Sequence, residues 1–321
     1  MAGNIKFTWP RYPTNPQEFN ALMQAVDAVL DDEGVKPFQR PMHLSRKFWE
    51  AFGWSGPLFP AKEFGQLPGY EGSSLVIKAQ DWYVLTYGEK LKQGGTYGYA
   101  PVKLGRAIWR VRAGVVFGQV SLFIDRNLTN PGTTSGTGKS PANFNVLMEV
   151  EDLTQGLVDG LSEPDLLNHL GFHVHVHENL QWLAQLPITK KFSVARWDYD
   201  ASTSDLLAGR YIQSMWGSEQ AVEKMIKGLL ELGGTDFPKG GKFGHDLPHL
   251  GELLKKHHDI AISTSHLETA SCSPKVRYNE EPATEKLALA ANHAVLWVMD
   301  ELRKNPKTPG LLNLASTQSG I

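Results

Sequence analysis

Helical periodicity runs almost unbroken from Val194 to Lys304, and it confines this part of the chain to one kind of fold. Between Tyr211 and Leu232 the apolar residues Ile212, Met215, Val222, Met225, Ile226, Leu229 and Leu230 lie three and four apart, on one face of a helix. Gly233-Gly234 ends that helix, because glycine accepts the left-handed conformation a helix terminus needs. Asp246 is placed to cap the next one, with Pro248 in its first turn and Leu247, Leu250, Leu253 and Leu254 facing inward. From Glu281 to Lys304 the pattern returns at Leu287, Ala290, Ala291, Ala294, Trp297, Val298 and Leu302, and a weaker helix precedes the set from Val194 to Leu207. Four or five helices with short connections predict an up-and-down bundle over residues 191–305, with a tail over 306–321.

Residues 1–190 read as a separate α+β unit. Asn15-Pro16-Gln17-Glu18 is a helix start, and Phe19, Leu22, Val26, Val29 and Leu30 supply its buried face up to Gly34. Arg46 to Phe52 reads as a second short helix. Arg106–Arg112 and Val115–Ile124 are rich in β-branched and aromatic residues, with a turn expected at Ala113-Gly114. Asn143–Val150 alternates as a third strand, and Ser162-Glu163-Pro164-Asp165 opens another helix. Trp9, Trp49, Trp54, Trp82 and Trp109 fall in the first 110 residues, either as core or as platforms for stacking bases.

Composition narrows the partners. With 41% hydrophobic and 21% charged residues the chain has the make-up of an ordinary soluble protein, and no apolar run approaches a membrane span. Cys272 stands alone and the first residues lack a signal-peptide layout, so a cytoplasmic location is expected. The net charge of −2 gives no global attraction to nucleic acid.

Three motifs in the helical part carry a resemblance. Gln220-Ala221-x-Glu223-Lys224, His245-Asp246-Leu247 and Arg277-Tyr278 are similar to the HEPN family (higher eukaryotes and prokaryotes nucleotide-binding), in its sacsin-like form, over about a third of the chain. The resemblance implies a helical bundle that pairs into a homodimer and binds nucleotide or RNA, in a defence or toxin–antitoxin setting. His245, Arg277, Tyr278 and His293 flank the starts or faces of two helices expected to pack together. A shared cleft with His245, Arg277 and Tyr278 as ligand contacts is one expectation; the other is local, with His245 and Asp246 capping a helix and Arg277 paired with Glu223 or another acid. Many HEPN proteins are metal-independent ribonucleases built on an Arg and a His with four to six residues between them. That pair is absent here; Lys286, with six residues between it and His293, is the nearest substitute, and lysine lacks the guanidinium fork. Binding protein, divergent ribonuclease and dimerisation scaffold for an N-terminal sensor therefore stand as alternatives.

Two further signals invite chemistry. His173, His175 and His177 share a face if they lie on a strand, whereas a helix pairs His169, His173 and His177; either set is a candidate metal site or a polar face. Gly132–Ser140 is similar to a phosphate-binding loop, but position 133 is Thr where its first glycine belongs, and Pro141 follows at once. Neither signal names a cofactor.

Overall fold

The computed structural model describes residues 6–57, 60–88, 90–91, 95–116, 119–133, 141–238, 242–278 and 280–318. Contacts divide the chain into two compact units, Met1–Gly95 and Thr96–Ile321. The boundary expected near residue 190 falls inside the second unit.

The first unit consists of α1 (Pro16–Asp32), α2 (Arg40–Phe52) and α3 (Gly72–Tyr87), with no strand among its described residues. Asn15 caps α1 by accepting the Glu18 N–H at 2.8 Å, and Pro16 fills the first helical position, where a missing N–H costs nothing. Leu22, Met23, Val26 and Leu30 then bury against Leu44 and Phe48 of α2 and Leu75, Val76, Ala79 and Tyr83 of α3. Trp9, Trp54 and Trp82 pack around this core, while Trp49 stays exposed. Arg40 is buried where the three helices meet. It donates to the Val35 carbonyl, to Asp27 and to the Tyr87 hydroxyl, each at 2.9 Å, and also to Asp31.

The second unit opens with a hairpin of β1 (Thr96–Leu104) and β2 (Ala107–Gly114), turned tightly at Gly105-Arg106. Gly105 supplies the positive φ, +61°, that the turn requires. Ala113-Gly114 is thus not a turn: it ends β2, opposite Gly98 and Thr96. A second small sheet follows, with β3 (Val120–Phe123) parallel to β5 (Ala142–Asn145) and β4 (Gly132–Thr133) antiparallel to β5. The strand expected to reach Val150 stops at Asn145, whose side chain accepts from the Leu147 N–H and starts a 3-10 turn. Residues 134–140 of the Gly/Ser/Thr stretch lie outside the described residues.

Helices occupy the rest: α4 (Gln155–Asp159), α5 (Glu163–Gln185), α6 (Lys190–Leu207), α7 (Tyr211–Leu232), α8 (Leu247–His258), α9 (Thr264–Ala270), α10 (Pro274–Arg277), α11 (Glu285–Lys304) and α12 (Thr308–Gln318). The fold is an α+β region followed by an all-helical bundle. No described residue after α5 is in a strand, and α12 occupies the segment read as a tail. On α11 the buried stripe is Ala288, Ala291, Val295, Val298, Met299 and Leu302; Leu287 and Trp297, expected inside, are half-exposed.

Helices α6 and α7 approach closely. A Cβ on Gly228 would stand 2.6 Å from the Phe192 ring, which only glycine avoids, and one on Gly217 would crowd the Asp198 carbonyl at 3.0 Å. A buried network of Ser202, Ser214, Ser218 and Asn292 ties α6, α7 and α11 together. The hairpin belongs to the same core: Val102, Leu104 and Val111 pack in one cluster with Leu180, Phe192, Val222 and Val295.

Candidate functional site

Helix α7 carries two glutamates one turn apart, Glu219 and Glu223, only 3% and 1% exposed. Burying a carboxylate is costly unless partners replace its water, so each fixes the groups around it. Glu219 accepts the Cys272 N–H at 2.7 Å, and Arg277 Nη2 donates to both its oxygens at 2.9 and 3.0 Å. Glu223 accepts from Lys227 and from His245 Nδ1, each at 2.8 Å, and from Lys224 at 3.1 Å. Gln220 closes the set, donating to Glu223 at 3.3 Å and accepting from Lys224 at 2.8 Å. The Gln-Ala-x-Glu-Lys motif is therefore a hydrogen-bonded knot, with Ala221 fully buried behind it.

The electrostatics follow from this geometry. Burial would push the Glu223 carboxyl up, but the hydrogen bonds from Lys227, His245 and Lys224 outweigh it and hold the group down at about 2. At Glu219 burial prevails and raises the carboxyl, against the opposing Cys272 N–H and Arg277. Burial, reinforced by Glu219, likewise pushes the Cys272 thiol up, which makes it a poor nucleophile.

His245, just before α8, and Arg277, at the end of α10, thus meet the two buried carboxylates on adjacent turns of α7. The acid that pairs with Arg277 is Glu219. The Arg277 guanidinium also lies 5.6 Å from the centroid of the Trp216 ring, which is 47% exposed. Tyr278, next in sequence, is 74% exposed, and His245 keeps about half its side chain in solvent. The face so formed presents aromatic surface beside groups that can donate to phosphate.

His293 does not join this face. Its Nε2–H donates to the Pro101 carbonyl of β1 at 2.8 Å, and its ring lies 4.7 Å from Phe172 of α5. Burial lowers its pKa, with the Pro101 carbonyl opposing. Lys286 is exposed near the start of α11, and no hydrogen bond or ion pair links it to His293 among the described residues.

The α5 histidines lie on a helix, so the strand geometry does not arise. His173 is buried and pulled down to about 3, by burial first and then by His169 and His177. His177 donates to the Gly114 carbonyl at 3.0 Å. His175 faces away from both, 4.1 Å from the Trp297 ring. Among the described residues, no three His, Cys, Asp or Glu side chains gather as a metal site.

Sequence reasoning passed over Trp216, Glu219 and Cys272. A signal existed for Glu219: with Glu223 it interrupts the apolar stripe of Met215, Val222 and Ile226, and a charge within a buried stripe demands a partner.

Residues 190–299 match the family model described as HEPN domain. That span runs from the start of α6 into α11 and contains Glu219, Glu223, His245 and Arg277. No curated protein and no solved structure matches the chain.

Proposed function

We propose that the HEPN helices bind nucleotide or single-stranded RNA on the face formed by α7, α10 and the start of α8. The observation that carries this reading is Arg277, held by Glu219 and stacked over the half-exposed Trp216 ring. A guanidinium held in place loses less freedom on meeting phosphate, and the neighbouring rings of Trp216 and Tyr278 suit bases. Lys224 and His245 add donors one turn along. The HEPN match supports the same class of ligand, a cytoplasmic defence or stress-response setting of the toxin–antitoxin kind, and pairing through the bundle.

RNA cleavage by this chain alone is not part of the proposal. His293, whose Nε2–H donates to the Pro101 carbonyl, does not join the α7 face on which the RNA would bind. Lys286 would offer a point charge where a guanidinium fork is needed.

The test is fluorescence anisotropy with a short labelled RNA in EDTA across a salt series. Two phosphate contacts give a slope of log K against log salt of about −1.4. Arg277→Ala reduces its magnitude by about 0.7. Trp216→Leu weakens binding by about 1–2 kcal/mol through lost stacking and leaves the slope alone. The RNA stays intact throughout. Absence of binding at low salt, or an unchanged slope in a folded Arg277→Ala protein, defeats the reading.

Pairing is tested separately. Trp197 and Leu287 expose apolar surface on the bundle, which a two-fold interface would cover. Light scattering on a sizing column should return twice the chain mass of 35.6 kDa. A monomer at tens of micromolar, the order at which weak pairs still assemble, counts against it.

A further inference from the structure

We infer that Glu219 is a proton-linked gate on the α7 face: an anionic strand that meets Arg277 is taken up together with a proton on Glu219, so binding strengthens in acid. This rests on the ligand binding proposed for the α7 face and adds how that binding is regulated.

Arg277 is the cation of the face, and Glu219 cancels its charge. The carboxylate side chain is only 4% exposed, whereas that of Arg277 is 27% exposed. A phosphate therefore approaches from the guanidinium side and meets a pair without net charge. Charges in a buried pair are weakly screened, so the anion also feels the carboxylate behind the guanidinium. Two routes relieve that repulsion. Pulling Arg277 away would leave a buried carboxylate without its cation, which is the costly one. Taking a proton from solvent onto Glu219 is the other.

The bonding leaves a place for that proton. Oε2 accepts from the Cys272 N–H at 2.7 Å and from Arg277 Nη2 at 3.0 Å. Among the described residues Oε1 accepts from Arg277 alone, at 2.9 Å. A proton on Oε1 leaves Oε2 with both donors. Arg277 then stays in place and α10 stays tied to α7, but the guanidinium charge is no longer cancelled.

The surroundings favour the neutral form. Burial raises the Glu219 carboxyl against the Cys272 N–H and Arg277, and Glu223 one turn along adds to the rise. The other charged groups packed around α7 act on Glu223 or on one another. Lys224, Lys227 and His245 bond to Glu223, and Asp198 of α6 lies near Glu223 and Lys224. Lys275 of α10 pairs with Glu281, and His266 of α9 with Glu301 of α11. Helices α11 and α12 bury the neutral Asn292 and Thr308.

The sign of the linkage follows. Glu219 titrates above the ordinary 4.5 in the free chain, and a bound anion raises it further. Affinity is therefore highest below the free value, falls as pH rises through the two values, and levels off above the bound one. A separation of one unit corresponds to about tenfold in affinity.

The test is anisotropy of the full chain with a labelled oligouridylate at fixed salt, from neutral pH toward the ordinary carboxylate value. Neither its phosphodiesters nor its uracil rings titrate in that range. Wild-type affinity is expected to rise about tenfold toward acid. Glu219→Gln keeps an oxygen acceptor without the charge, so it should bind about tenfold more tightly than wild type at neutral pH and lose most of the pH dependence. A carboxylate that merely braces Arg277 predicts the opposite, weaker binding in Glu219→Gln. In His245→Gln the rise toward acid should remain, which separates Glu219 from the neighbouring imidazole. Should Glu219→Gln fail to fold, calorimetry of His245→Gln in two buffers of different ionisation enthalpy counts the protons, and net uptake on binding is expected. Binding independent of pH, absence of proton uptake, or a folded Glu219→Gln that binds no more tightly than wild type at neutral pH overturns the inference and leaves binding at the α7 face standing. Absence of binding at every pH defeats that binding and the inference together.

Discussion

Glu223→Leu is expected to lower the unfolding temperature of the Thr96–Ile321 unit by roughly 6–12 °C, from a loss of about 3 kcal/mol. The leucine fits a site that is already apolar behind the carboxylate, so the cost arises from the partners left behind. Lys227 is almost fully buried and loses its acceptor, while His245 and Lys224 lose theirs at the surface. Acid should reproduce part of the effect. The folded Glu223 carboxyl is depressed from its ordinary 4.5 to about 2, so its contribution is complete above the unfolded value. It is lost as pH falls from about 4.5 through about 2. Glu223→Gln removes the ionisation, and its stability should vary less with pH across that window. Scanning calorimetry at neutral pH and through the acid range measures both effects. A melting temperature unchanged in Glu223→Leu would mean that the knot on α7 carries no stability.

Arg40→Leu should be at least as damaging to the Met1–Gly95 unit. The leucine replaces the aliphatic stem but leaves Asp27 without its guanidinium and the Val35 carbonyl without its donor. Breaking a buried pair of this kind costs about 3–5 kcal/mol, against a typical domain stability of 5–15 kcal/mol. In a unit of this size each kcal/mol shifts the midpoint by about 4–8 °C, so a fall of at least about 12 °C is expected. Arg40→Lys should recover only part of it, because one ammonium cannot span the separate acceptors that the fork reaches. Circular dichroism melts of the full chain, with limited proteolysis to locate the loosened segment, provide the measurement. Equal melting curves for wild type and Arg40→Leu would rule out this bracing role.

The helices were legible because their signals are local. Asn15, Ser162 and Asp246 each cap a helix through their own side chain, and those short-range bonds are visible in the sequence. Strand β1 was not legible for the opposite reason. Gly98 and Pro101 both disfavour a strand, but among the described residues β1 pairs with β2 alone, so the edge position tolerates a residue without an N–H. The site was half legible. Motif spacing singled out His245 and Arg277, yet their carboxylate partners lie 22 and 58 residues away, and only the folded chain shows which glutamate holds which. His293 illustrates the limit of spacing arguments. Its offset from Lys286 suits a catalytic pair, while its hydrogen bond goes to a carbonyl 192 residues earlier.

The hairpin's place in the core has a further consequence. The stretch that matches HEPN shares its core with residues that precede it. Val102, Leu104 and Val111 close part of the apolar surface of α5, α6 and α11, and the Pro101 carbonyl accepts a hydrogen bond from His293. A fragment cut at residue 190 would present that surface to water and leave His293 without its acceptor. These helices and the preceding hairpin share one interior, so a substitution in either is constrained by the other.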